Sequence, residues 1–164
     1  MIDTVVRVGI ADMKIVKSPE KIRTSGLGSC VGVVVYDKQI SIAGLAHIML
    51  PDSALARGDK EINKAKFADT ALRELIHELI SLGANQSRLK AKIAGGAQMF
   101  HFSSKNDQMR IGPRNIEAVK QELKSMKIQL VAEDTGGHSG RTIEFDTETC
   151  MLQIKTVYQE MIEI

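Results

Sequence analysis

Val31-Gly-Val-Val-Val-Tyr36 and Ile42-Ala-Gly-Leu-Ala-His-Ile-Met-Leu50, separated by the polar stretch Asp37-Lys38-Gln39 and stopped by Pro51, are the two runs on which the fold turns. The first is rich in β-branched residues, which suit a pleated, half-buried surface. Two such runs joined by a short polar turn read as a β-hairpin. A two-residue loop at Lys38 and Gln39 sets Cys30 directly opposite His47, and a four-residue loop about the same centre keeps that pairing. Facing residues share one side of a sheet with Cβ atoms about 4.5–5.5 Å apart, close enough for a thiol and an imidazole to meet. Lys-Gln is not among the strong hairpin-turn dipeptides, so a three-residue loop with a shifted register stays open.

Working upstream, Thr24-Ser-Gly-Leu-Gly-Ser-Cys30 puts a cysteine at the end of a glycine-rich turn, where the apolar run begins. Gly26 and Gly28 allow positive φ and close backbone approach. A turn of this kind can aim the N–H groups of Ser29 and Cys30 at a developing oxyanion. A thiol needs a base to become a nucleophile, and histidine is the usual one, which makes Cys30 and His47 the candidate pair. Thr24, six residues before Cys30, could accept from the second nitrogen of His47 and fix its tautomer. The plain alternative is that Cys30 is a small buried hydrophobe, the commoner fate of a cysteine beside a valine run. Gly26-x-Gly28-x-x-x-Gly32 has the wrong spacing for a dinucleotide loop, and a strand follows where that fingerprint demands a helix.

Composition bounds the rest. A length of 164 residues, 43% hydrophobic and 26% charged, suits one soluble domain spanning 1–164 with a real core. A net charge of +2 makes no case for nucleic acid, and 4% aromatic content without tryptophan disfavours sugar or base stacking. Cys30 and Cys150 make no disulfide framework, which points to the cytosol. The N-terminus, with Asp3 and Arg7, lacks a signal-peptide core. No apolar run is long enough to span a bilayer.

Along the chain, Thr4–Ile10 and Met13–Val16 read as strands, Ser18-Pro19-Glu20 as a turn, and 51–60 as a loop. Asn63–Leu82 carries a helical stripe of Ala68, Ala71, Leu72, Leu75, Ile76, Leu79 and Ile80, with Gly83 as its C-terminal cap and His77 off the stripe. Leu89–Ala94 is a strand. Ile111-Gly-Pro-Arg-Asn115 opens a second helix with stripe Ile116, Val119, Leu123 and Met126. Ile128–Ala132, Arg141–Phe145 and Met151–Val157 are three final strands. The order favours an α+β domain with a mixed sheet over a repeated βαβ array. His101 and His138 read as loop surface, Glu133-Asp134 as a solvated strand end, and Cys150 as structural. Zinc held by Cys30, His47, His138 and Cys150 would rest on four isolated residues without metal-ligand spacing, so no metal is expected.

The run from Thr24 to Gly32, with Ala43-Gly-Leu-Ala-His-Ile-Met-Leu-Pro51, resembles the CheD family of chemoreceptor glutamine deamidases. Lys66–Leu72, Ala91–Phe100, Ile111–Asn115 and Asp134–Arg141 are similar to further family blocks in the same order. The resemblance implies hydrolysis of glutamine side chains on chemoreceptor cytoplasmic helices, with no cofactor and no membrane insertion. It implies Cys30, His47 and Thr24 as the catalytic group. It also implies a fold like that of the cytotoxic necrotizing factor deamidases (mixed β-sheets packed between helical layers, α/β/β/α) and a CheC-type phosphatase as partner of a chain that is monomeric when free. One departure stands out: Cys150 occupies a position where the family leads one to expect glycine, implying an altered turn away from the active site. A regulatory binding module and a receptor methylesterase using the same thiol are the competing readings.

Overall fold

The computed structural model describes residues 4–56, 61–99 and 110–164. Among these residues ten strands run in chain order: β1 Val5–Arg7, β2 Met13–Lys17, β3 Lys21–Leu27, β4 Val31–Asp37, β5 Ile42–Ile48, β6 Lys90–Gly95, β7 Gln129–Thr135, β8 Arg141–Asp146, β9 Leu152–Thr156 and β10 Ile162–Glu163. Two helices accompany them, α1 at Ala68–Ser81 and α2 at Ile111–Ser125. The strands form two mixed five-stranded sheets, ordered β1-β3-β8-β9-β10 and β2-β5-β4-β6-β7. In each, only one edge pair is parallel, β1 with β3 and β6 with β7.

The expected hairpin forms as β4–β5, but its register differs from expectation. Gly32, not Cys30, faces His47, and Val31 faces Ile48. The loop is the four residues 38–41, shifted one position along the chain. Asp37 explains the shift: its carboxylate caps a 3₁₀ turn at Lys38–Ile40 by accepting from the Gln39 N–H, and Ser41 closes the turn in the left-handed region at φ 52. Facing positions therefore move by two residues, an even step that leaves every side chain on its intended face.

That alternation separates two cores. Val31, Val33, Val35, Ala46 and Ile48 point to one side, where they pack with Leu72, Leu75 and Leu79 of α1 and Val119 and Leu123 of α2. Val34, Tyr36, Ala43 and Leu45 point to the other and meet Ile22, Leu27, Ile143, Phe145 and Ile154 of the first sheet. The described residues thus form an α+β domain of two mixed sheets and two helices. Among the described residues both helices cover the outer face of the second sheet. No described helix is long and apolar enough to cross a membrane.

Several boundaries move. The first helix starts at Ala68 instead of Asn63, because Phe67 is extended (φ −111, ψ 139) and bridges to Leu50. Ile80, expected in its apolar stripe, is 40% exposed. Gly83 follows the helix end at φ 109, and its N–H bonds to Ile80 O. The first strand shrinks to Val5–Arg7, and β3 and β10 form where no strand was expected.

Candidate active site

The glycine-rich stretch splits between strand and turn. Thr24 to Leu27 belong to β3, with an irregular register against β8 between Thr24 and Leu27 where Gly26 takes φ +73. The turn proper is Gly28-Ser29-Cys30. All three of its carbonyls are held: Gly28 O by Ala97 N–H at 2.9 Å, Ser29 O by Asn115 Nδ2 at 2.9 Å, and Cys30 O by Gly96 N–H at 2.8 Å. The approach of the Gly95-Gly96 segment is close enough that a Cβ on Gly95 would run into the Cys30 carbonyl oxygen. Among the described residues, no acceptor meets the N–H of Ser29 or Cys30.

His47 lies on the inter-sheet face of β5 and is fully buried, as is Thr24 on β3. Thr24 Oγ1 lies 2.7 Å from His47 Nδ1 and 2.8 Å from Val8 O. The carbonyl can only accept, so the single hydroxyl proton goes to Val8. Thr24 must then accept from Nδ1–H, which leaves the His47 lone pair on Nε2. Nε2 is buried with no hydrogen-bond partner among the described residues. Burial holds the His47 pKa below its ordinary 6.5.

Cys30 is a half-buried free thiol at the mouth of β4, packed against the inter-sheet core. Burial pushes its pKa above the ordinary 9.0. It lies two residues before Gly32, the residue facing His47, and so shares that side of the sheet as a diagonal neighbour. Cys30 Sγ is not hydrogen-bonded to His47 Nε2. The structure brings Thr24 and His47 into contact and sets Cys30 on the same face without that last bond. Burial favours the uncharged form of each group.

The other candidates lie apart. His77 is exposed, and His138 is exposed with Nδ1 3.0 Å from Gln98 O. Glu133 pairs with Lys120 at 2.8 Å and Asp134 with Arg141 at 3.1 Å, so the adjacent carboxylates have separate partners. No three potential metal ligands cluster among the described residues. His101 lies outside them. Cys150 is buried at φ 58, the left-handed conformation that glycine adopts readily.

Sequence reading missed Asn115 as part of the site. It is completely buried and donates to both Ser29 O and Met49 O at 2.9 Å. The signal was present: Asn115 sits in the buried stripe of α2 with Gly112, Val119 and Leu123, and a buried polar residue in such a stripe is an informative exception.

Known proteins resemble this chain closely in sequence. A family model described as CheD chemotactic sensory transduction matches residues 49–156. The chain is 59% identical to a chemoreceptor glutamine deamidase CheD of Halalkalibacterium halodurans, covering 98% of each chain. It is 57% identical to a chemoreceptor glutamine deamidase CheD of Bacillus subtilis, over 94% of this chain and 93% of that one. A probable chemoreceptor glutamine deamidase CheD of Geobacillus kaustophilus is 56% identical over 97% and 96%. Similarity of this degree across nearly the full length, together with the matched family model, means that the chain belongs to the CheD family.

Proposed function

We propose that this chain is a cytoplasmic protein-glutamine deamidase that converts particular glutamines of chemoreceptor cytoplasmic helices to glutamate. The names of its near-full-length relatives support the substrate class. The observation that carries the mechanism is the Thr24–His47 hydrogen bond, which reserves a buried Nε2 lone pair on the face shared with Cys30.

Because burial favours neutral forms of both groups, His47 acts as a general base during attack. Nε2 takes the Sγ proton as sulfur adds to the amide carbon, and the carbonyl electrons move onto oxygen. The N–H groups of Ser29 and Cys30 stabilise that oxyanion. Collapse breaks the C–N bond while Nε2–H protonates the departing nitrogen, which leaves as ammonia. His47 then takes a proton from water as it attacks the thioester. The C–S bond breaks, and the proton returns to sulfur. Thr24 holds the tautomer throughout. No cofactor enters this sequence.

Incubation with receptor cytoplasmic domains followed by peptide mass mapping tests the proposal. Deamidated glutamines gain about one dalton, whereas a methylesterase would remove about fourteen from a glutamyl ester. Equal deamidation by Cys30→Ala protein would overturn the mechanism. The missing Sγ–Nε2 bond favours one second reading, a module that acts by binding a CheC-type phosphatase or the receptor. Receptor binding without any change of peptide mass would support it. We assign the uncomplexed chain as a monomer, which sedimentation can check.

A further inference from the structure

Asn115 joins two segments far apart in sequence. Its Nδ2 donates to Ser29 O, 86 residues away, and to Met49 O, 66 residues away, both at 2.9 Å. Both amide protons are thus committed to main-chain carbonyls, and the side chain has no exposure. Its Oδ1 is buried without a hydrogen-bond partner among the described residues. Leaving a buried acceptor unsatisfied is destabilising, a cost that points to a use for the two donors.

The use follows from peptide geometry. In a planar trans peptide, the C=O and the N–H point in opposite directions. Ser29 O and Cys30 N–H belong to one peptide unit, so the hydrogen bond that turns Ser29 O toward α2 turns Cys30 N–H away from it. The preceding unit is set the same way, since Ala97 N–H holds Gly28 O and thereby orients Ser29 N–H. The second proton of Asn115 grips Met49, two residues beyond His47. We propose that Asn115 is a positioning residue that presets the Cys30 N–H as an oxyanion donor and locks it to the strand carrying the base. This inference rests on the reading of Cys30 as an acyl-accepting nucleophile. Asn115 itself touches no reacting atom.

Two electrophiles separate this role from a structural one. Acylation by p-nitrophenyl acetate passes through a tetrahedral oxyanion, whereas alkylation by iodoacetamide displaces iodide at a saturated carbon and builds none. In Asn115→Ala and Asn115→Leu proteins, the ester reaction at Cys30, corrected for a Cys30→Ala control, should fall about tenfold to a hundredfold, toward the range for loss of an oxyanion donor. Alkylation of Cys30 should stay within twofold of wild type. On receptor substrate, kcat should fall with KM nearly unchanged. Equal changes in both chemical rates, or no change in either, would overturn the proposal. A measurement on the unaltered protein stands independently of the variants' folding: the Asn115 side-chain protons should exchange with deuterium far more slowly than an exposed amide, and fast exchange rules out the clamp. Wild-type protein that takes up the ester but leaves receptor glutamines unchanged would refute the deamidase reading while leaving this one intact.

Discussion

The hydroxyl of Thr24 joins His47 Nδ1 at 2.7 Å across the gap between two sheets, while its own proton is bound to Val8 O. A donor–acceptor chain of this kind has only one direction, so the imidazole tautomer is fixed by a backbone carbonyl. Thr24→Val should remove the acceptor at nearly constant volume and lower kcat by roughly a hundredfold, the lower end of general acid–base catalysis. Thr24→Ser, which keeps the hydroxyl, should restore most of it. Comparing the two variants on receptor substrate checks the assignment.

The pH profile follows from burial. A histidine whose folded pKa is depressed stays neutral in the folded state at pH values where the unfolded chain is already protonated. Its stability contribution is present above pH 6.5 and is lost as pH falls below 6.5 toward the folded value. The acid limb of kcat/KM should likewise lie below 6.5. Cys30 behaves oppositely: its folded pKa is raised, so its contribution is present below 9.0 and is lost as pH rises through the folded value. Alkylation of the resting protein at pH 7 should be slower than that of an unhindered thiol. Iodoacetamide kinetics between pH 6 and 10 check this.

Asp37 anchors the loop that sets the register. Asp37 is fully buried, and burial by itself would raise its pKa. Hydrogen bonds from Arg88, Asn85 N–H and Gln39 N–H outweigh that and hold it below its ordinary 3.8. Its contribution is therefore present above pH 3.8 and is lost as pH falls through the folded value. Arg88→Gln should cost about 2 kcal/mol, less than the ~3–5 of a fully buried pair, because the Arg88 side chain is 33% exposed. Thermal melts at pH 7 and pH 3 should show the variant's deficit shrinking in acid.

Gly32 faces His47 with no room for a side chain. A Cβ there would lie 2.6 Å from Ile143 Cδ1 and 3.2 Å from Leu27 Cδ1. Gly32→Ala should cost about 1–3 kcal/mol by overpacking and reduce activity more than tenfold. Ile143→Val, which deletes that methyl, should recover part of both. A double-mutant cycle in melting temperature and kcat measures the coupling.

Cys150 gives the control. It lies beside Tyr36 and Lys92, at the opposite end of β4 from Cys30, about 20 Å along a seven-residue strand. Cys150→Gly should leave deamidation within twofold of wild type. A larger loss in the peptide mass assay would mean that this end of the sheet takes part in turnover.

The sequence made the face of each strand legible but not its offset. Period-two alternation in β4 and β5 fixes which side His47 and Cys30 share, and a two-residue slip preserves it. The slip itself came from Asp37, whose capping contacts reach Asn85 and Arg88, some 50 positions away. Thr4 to Ile10 promised a longer strand than forms, and β3 was obscured because its glycines read as a turn. The same long-range character hid Asn115, whose two acceptors are backbone atoms from distant turns that no local pattern announces. Val8 O is a comparable case, since any residue there offers the same carbonyl to Thr24.

Because Thr24 and His47 sit on opposite sides of the seam between the sheets, the proposed mechanism makes the volume of that seam a functional variable. A methyl gained or lost at Leu27, Val34 or Ile143 changes the spacing that the 2.7 Å contact reads, much as a caliper reads a gap. Substitution on the helix-covered face can be absorbed by shifts of α1 and α2, whereas the seam can drift only with compensating changes that hold its width. Lineages of this fold should therefore show paired exchanges across the seam and independent ones beneath the helices.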